Sequence, residues 1–170
     1  YQTKCPYVPP HAWSLDFPHL MLRAKAIRHR QGATDWPSRV LSATTRVGAL
    51  ASLPLVVDAV NAANTSPLAR KLLDKVLGVH PEACVPAYHR DTGTRRARRK
   101  ADAGIEPRAA GPTRGKVALF VTCYGEYNMP QVVEDLAVVL QHNGIAVQVI
   151  AHAQCCGMPK LELGDLDAVD

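Results

Sequence analysis

The chain has 170 residues, 47% of them apolar and 5% aromatic, with 20 Lys and Arg against 15 Asp and Glu and a formal charge of +5. That length holds one domain or a little more, and the Ala, Val and Leu that dominate the apolar set suit a helical core. Five cysteines are an odd number without the regular spacing of a secreted disulfide framework, so a reducing, cytoplasmic setting is expected. The longest apolar run, 47–57, is interrupted by Pro54 and falls well short of the roughly eighteen residues of a spanning helix, so no segment is expected to cross a membrane.

The chain starts on Tyr1 rather than Met and ends in a stretch, 161–170, that reads as a helix being entered, which predicts an internal fragment. In its first stretch Cys5 is followed directly by Pro6. A bacterial ferredoxin-type run ends in Cys-Pro, and that cysteine ligates the other cluster of a two-cluster module. Cys5 is a candidate cluster ligand on that pattern, the alternative being an inert thiol in a proline-rich loop. His11 and His19 fit no standard zinc spacing and are expected in loop packing or solvent. Trp13 and Phe17 are expected to seat the loop against a neighbour.

Helices follow. Asp16 reads as a cap, Pro18 suits a first turn, Leu20, Leu22 and Ile27 are the apolar positions, and Gly32 lies beyond a basic last turn. Asp35 with Trp36-Pro37 opens a second pattern running through Val40, Leu41, Val47 and Leu50 until Pro54 breaks or kinks it. Ser66-Pro67 opens a third, with Leu68, Leu72, Leu73, Val76 and Leu77 on one side and Gly78 as its stop. No catalytic constellation occurs in 20–78, which reads as a helical scaffold.

Residues 79–115 change character, with Pro81, Pro86, Pro107 and Pro112 alternating with Gly93, Gly104 and Gly111. From Arg90 to Lys116 there are nine Lys or Arg against three acids, a surplus of six that leaves the rest of the chain about one unit negative. The composition predicts a flexible basic linker. Such a run can contact an anionic membrane or an acidic partner, but it lacks interleaved aromatics, and no specific nucleic-acid binding is expected. Cys84 belongs to this stretch and matches no motif.

Residues 116–170 carry the densest signals. The run 117–122 is short, apolar and β-branched, as a buried strand requires. Pro130 suits a helix start, Val132, Val133, Leu136, Val139 and Leu140 recur at helical spacing, and Asn143-Gly144 ends it. The run 145–150 reads as a second strand, parallel to the first. Cys123 then falls just past the first strand, and Cys155 and Cys156 just past the second, where open α/β sheets bind their ligands. Gly157 follows, where the backbone needs either positive φ or a close approach. Thiolates are soft donors that suit zinc or iron–sulfur clusters; an adjacent Cys-Cys pair can equally be two buried small side chains.

Cys123, thirty-one residues, then Cys155-Cys156-Gly157 resembles the first half of the CCG cysteine-rich domain of heterodisulfide reductase-like iron–sulfur oxidoreductase subunits. The words Thr122-Cys-Tyr-Gly-Glu-Tyr-Asn128 and Cys155-Cys-Gly-Met-Pro-Lys160 resemble the version in the C-subunit family of anaerobic glycerol-3-phosphate dehydrogenases. In that family the Cys5 word directly follows the last ferredoxin cysteine. The family's later Cys-x-x-Cys is absent from this sequence.

The resemblance implies an α/β chain in four parts: the end of a ferredoxin-like module (1–19), the helical scaffold (20–78), the linker (79–115) and half of a CCG domain (116–170). It implies an iron–sulfur cluster of the 4Fe-4S type, with Cys5, Cys123, Cys155 and Cys156 as ligands and Gly157 beside them. It implies a flavin-containing dehydrogenase partner, an electron acceptor such as a quinone, and a cytoplasmic position, peripheral at the inner face of the membrane. An iron–sulfur subunit of a glycolate or lactate oxidase, or of a heterodisulfide reductase-like complex, shares the layout. A zinc-stabilised or structural α/β module and a basic adaptor acting through 90–116 are readings of other classes. With no dinucleotide fingerprint, flavin site or catalytic dyad, the chain alone is not expected to turn over substrate.

Overall fold

The computed structural model describes residues 4–101, 116–150 and 155–169. Asp16 caps α1 (Phe17–Arg30): its carboxylate accepts from the His19 N–H at 3.2 Å, and Pro18 sits in the first turn. Arg28, His29 and Arg30 close the helix with the charge its C-terminal dipole favours. The apolar period that predicts one helix from Trp36 to Leu50 is divided instead into α2 (Trp36–Ser42) and α3 (Thr44–Ala51). At the break the Ser42 hydroxyl donates back to the Arg39 carbonyl at 3.0 Å, a local bond that competes with helix continuation.

Beyond Pro54 the chain enters α4 (Val56–Thr65), for which the sequence carried no separate signal. Among the described residues no single helix is long and apolar enough to cross a membrane; α3 and α4, bent by 106°, pass that test together on length and composition alone. Then α5 (Pro67–Leu77) runs from Ser66 to Gly78, the stop in left-handed conformation. Its apolar stripe does not face a core: Leu68 is 80% exposed and Leu72 and Val76 are exposed with it.

What α5 buries is Arg70, 6% exposed, whose guanidinium donates to the carbonyls of Pro81 at 3.0 Å, His80 at 2.9 Å and Ala83 at 2.6 Å. Carbonyl dipoles take the place of an acid on Nε and Nη2, while Nη1 is buried without a hydrogen-bond partner among the described residues. Arg70→Met keeps the apolar stem and removes the donors. It is expected to lower stability by about 2–3 kcal/mol, the loss of charge-assisted bonds from a buried site, in urea unfolding, with hydrogen exchange rising first at 79–84.

The stretch expected as a linker is corrected where it is described. Asn61 grips the Tyr88 backbone twice, its amide donating to the Tyr88 carbonyl at 2.9 Å and its carbonyl accepting the Tyr88 N–H at 2.9 Å. The His89 N–H donates to the Tyr127 carbonyl at 2.8 Å, and the Asn128 amide to the Ala87 carbonyl at 3.1 Å. The basic run itself is α6 (Gly93–Ala101), with Gly93 and Ala97 buried. Small residues at 93, 97 and 101 share one helical face, and that face goes inward while the arginines go out. Arg99 takes Asp91 through two bonds, at 3.0 and 2.6 Å, and Arg96 and Lys100 share Glu134 at 3.6 and 3.5 Å. Residues 102–115, the rest of that expected linker, lie outside the described residues.

The strands are β1 (Lys116–Leu119) and, later, β2 (Ala146–Val149), paired in parallel from Lys116 opposite Ala146 to Leu119 opposite Val149. Between them lie α7 (Cys123–Tyr127), capped by the Thr122 hydroxyl, and α8 (Pro130–His142), ended at Asn143-Gly144 as its sequence requires. Of the apolar positions expected to define α8, only Val133 is fully buried, with Ala137; Val132, Leu136 and Val139 are exposed. Small residues win the inner face because α6 packs directly against it. Ala97, Leu119, Val121, Val133 and Ala137 form the buried cluster, with Val147 and Val149 packed on it.

The last helix, α9 (Met158–Leu163), follows Gly157 and leads to a 3-10 turn at Leu166–Ala168. It packs on α1 and α2, with Lys25 paired to Glu162 at 2.5 Å and His29 to Asp165 at 3.6 Å. The described residues of Tyr1–Ser42 and Gly157–Asp170 form one compact unit and those of Ala43–Cys156 a second. These units cut across the segments 20–78 and 116–170 drawn from composition. The class is mixed α/β, mostly helical with a two-stranded parallel sheet.

Candidate functional site

Cys123 is the first residue of α7, placed there by the Thr122 cap four residues beyond the pairing of Leu119 with Val149. Cys155 and Cys156 follow β2 across residues 151–154, which lie outside the described residues. Cys155 and Cys156 are both near enough to Cys123 for their charges to act on it. Cys123 and Cys155 are half-buried and Cys156 is exposed; all three are free thiols.

The third wall is α3. The Thr44 hydroxyl lies 3.7 Å from the Cys155 sulfur. Thr44 is one turn from Gly48 on α3, as Cys123 is one turn from Tyr127 on α7, so the two helices meet along matching faces. The meeting is close: a Cβ on Gly48 would stand 2.2 Å from the Tyr127 ring. Only glycine admits that ring, and its admission brings the start of α3 onto the sulfurs. Tyr88, held by Asn61, completes the surroundings of Cys123.

Burial and the neighbouring cysteines resist negative charge on Cys123, and Thr44 favours it. Burial pushes the Cys123 thiol up from its ordinary value, Thr44 draws it down, and the charges of Cys155 and Cys156 push it up again. Burial raises the Tyr88 phenol, with Cys123 adding to it; for Tyr127 burial leads, followed by Glu126 and Cys123. Neighbouring thiolates repel one another, and a soft cation removes the repulsion by taking all of them as ligands. The donor set therefore fits a thiolate-bound metal centre. Among the described residues no group of three or more His, Cys, Asp and Glu is arranged to hold a metal ion.

The other expected site residues are described in the first unit. Gly157 has φ +76, and a Cβ there would make only ordinary contact with Val169, so the backbone conformation, not a close approach, requires the glycine. Cys5 is half-buried beside a cavity of about 580 Å³ that Leu15, Asp16 and Phe17 also line. His19 pairs with Asp16 at 2.6 Å, and Tyr7 stacks on Trp13 at 5.0 Å with His11 edge-on to both rings. Cys84 is exposed. Thr44, Gly48 and Tyr88 carried no sequence signal for a site, apart from the helix-interior glycine, which generally marks a close approach when it is not a stop; Tyr127 lies within the word 122–128.

Residues 117–167 match the family model of the CCG cysteine-rich domain. The chain is 33% identical over 128 residues to the C-subunit of the anaerobic glycerol-3-phosphate dehydrogenase of Escherichia coli strain K12, and equally to that of Escherichia coli O157:H7. The match takes in 75% of this chain and 30% of each relative, so the chain spans under a third of the length of the curated proteins it matches. No solved structure matches it. The segment that carries Cys123, Cys155 and Cys156 is thus similar to the CCG cysteine-rich domain, in a chain similar to the C-subunit of anaerobic glycerol-3-phosphate dehydrogenase.

Proposed function

We propose that the chain is part of an iron–sulfur electron-transfer subunit, with Cys123, Cys155 and Cys156 as cluster ligands and Gly157 shaping the turn behind them. The observation that carries this reading is the nearness of Cys155 and Cys156 to Cys123 inside a segment that matches the CCG family model. When bound, an iron–sulfur cluster supplies one-electron chemistry at a potential set by charge, hydrogen bonds to sulfur and burial. The chain's own part is to present thiolates, to hold them against α3, and to keep Cys123 and Cys155 half out of water. Cys5 belongs to a different centre in this reading, as the last ligand of a ferredoxin-like module in 1–19.

The similarity to one component of a dehydrogenase supports a dehydrogenase partner. The finer reading is a flavin-containing partner that oxidises glycerol 3-phosphate and a quinone-linked acceptor, with a cytoplasmic position, peripheral at the inner membrane face. A four-iron cluster takes about four thiolates, whereas the CCG half offers three here. Anaerobic reconstitution of this chain with ferrous iron and sulfide is expected to give brown protein with labile or substoichiometric iron. An electron paramagnetic resonance signal should appear on reduction, with no turnover of glycerol 3-phosphate, lactate or glycolate. Colourless protein that takes zinc and leaves iron and sulfide unbound would overturn the electron-transfer reading in favour of a zinc-stabilised module.

A further inference from the structure

We infer that Thr44 is a positioning residue for the thiolate centre: its hydroxyl donates a hydrogen bond to the Cys155 sulfur, weakens it as an electron donor and raises the reduction potential of a cluster that Cys155 helps to hold. The inference rests on the reading of these cysteines as ligands. It adds a residue 111 positions away in the chain that no sequence motif contains.

The geometry comes first. Thr44 opens α3 and its Oγ1 is 3.7 Å from the Cys155 sulfur, within reach of a hydrogen bond to sulfur. Between a thiol and a hydroxyl either atom can donate. A metal-bound thiolate has no proton, so there the hydroxyl is the donor and the sulfur the acceptor. Nothing in the side-chain chemistry of Ala43 caps α3, and the first-turn N–H groups behind Thr44 add positive potential of the same sense. The position is enforced from outside the site, because the contact of Gly48 with the Tyr127 ring fixes the start of α3 over the start of α7. Reduction adds an electron whose charge is shared by the ligating sulfurs. A donor already aimed at one of them therefore binds the reduced state more strongly than the oxidised one, and the potential rises.

The test uses Thr44→Val, which keeps the shape and loses the hydroxyl, Thr44→Ser, which restores it, and Thr44→Ala as a second variant should valine pack poorly. Two probes are read. In the iron- and sulfide-reconstituted protein, potentiometric titration followed by electron paramagnetic resonance is expected to show Thr44→Val and Thr44→Ala displaced to lower potential. The expected displacement is about tenfold in the reduced-to-oxidised ratio, or about 59 mV for one electron, with Thr44→Ser close to the parent. In protein titrated with cobalt(II) alone, the sulfur-to-cobalt charge-transfer band should move to longer wavelength in the two variants without a hydroxyl and return in Thr44→Ser. The cobalt arm reports on the sulfurs whether or not iron is retained, so a failure of the iron–sulfur reading leaves it decisive. Identical bands and potentials across all four proteins would overturn the role of Thr44. So would a shift in Thr44→Ser as large as in Thr44→Val.

Discussion

Cys123→Ala is expected to abolish retention of iron by the CCG half and to leave the fold in place. Loss of a partner behind a ligand already costs about 10–100-fold in metal affinity, and loss of one of three ligands from an incomplete set costs more, beyond about 100-fold. The thiol is half-buried and burial holds it up from its ordinary value, so without metal it acts as a small apolar group beside Thr44 and Cys155. Its truncation should therefore cost the metal-free protein no more than about 1 kcal/mol. Cys155→Ala should behave alike. Cys84→Ala, at an exposed thiol, should change nothing. Cys5→Ala should leave the signal of the Cys123 centre intact, because it lies in a different unit and is assigned a different cluster. Iron and sulfide analysis with electron paramagnetic resonance on the five proteins reads this out. Full iron content and an unchanged signal in Cys123→Ala would remove Cys123 from the ligand set.

What could be read from the sequence follows from how local each signal is. The cap at Asp16, the stops at Gly78 and Gly144 and the starts at Pro67 and Pro130 act within one turn of the backbone, and the helices form between them. The two strands are short β-branched runs, and the parallel pairing follows from the helices between them. The nearness of Cys123 to Cys155 was legible for the same reason: each follows a strand, and paired parallel strands bring their ends together.

Burial was less legible, since it depends on what packs opposite. Leu68, Leu72 and Val76 of α5 have helical spacing yet are exposed, while Arg70 turns in because three carbonyls of a turn ten and more residues later await it. On α8 the small residues lie inside because α6 leaves room for nothing larger. Thr44 and Tyr88 reach Cys123 from separate stretches of the chain, and no spacing rule relates them to it.

The run Arg95–Lys100 shows how composition misleads, and Ala97→Asp measures by how much. Counting charge made this stretch a solvated tether, in which an added carboxylate among arginines would be neutral or mildly favourable. In the structure Ala97 and Ala137 are both 0% exposed, in one cluster with Leu119, Val121 and Val133. The arginines on α6 point away from that cluster: Arg99 to Asp91, Arg96 to Asp91 and Glu134. An aspartate placed in the apolar cluster loses its water without gaining a partner. Burying an unpaired charge costs about 3–5 kcal/mol, a large share of the roughly 5–15 kcal/mol that holds a domain together. Thermal or urea unfolding of Ala97→Asp should show the second unit largely unfolded or its midpoint sharply lowered. Arg95→Ala and Arg98→Ala, on the exposed face, should stay within about 0.5 kcal/mol of the parent. Ala97→Leu separates space from charge, because overpacking alone costs about 1–3 kcal/mol, less than the carboxylate. An Ala97→Asp protein as stable as the parent would return α6 to the status of a tether and detach it from α8.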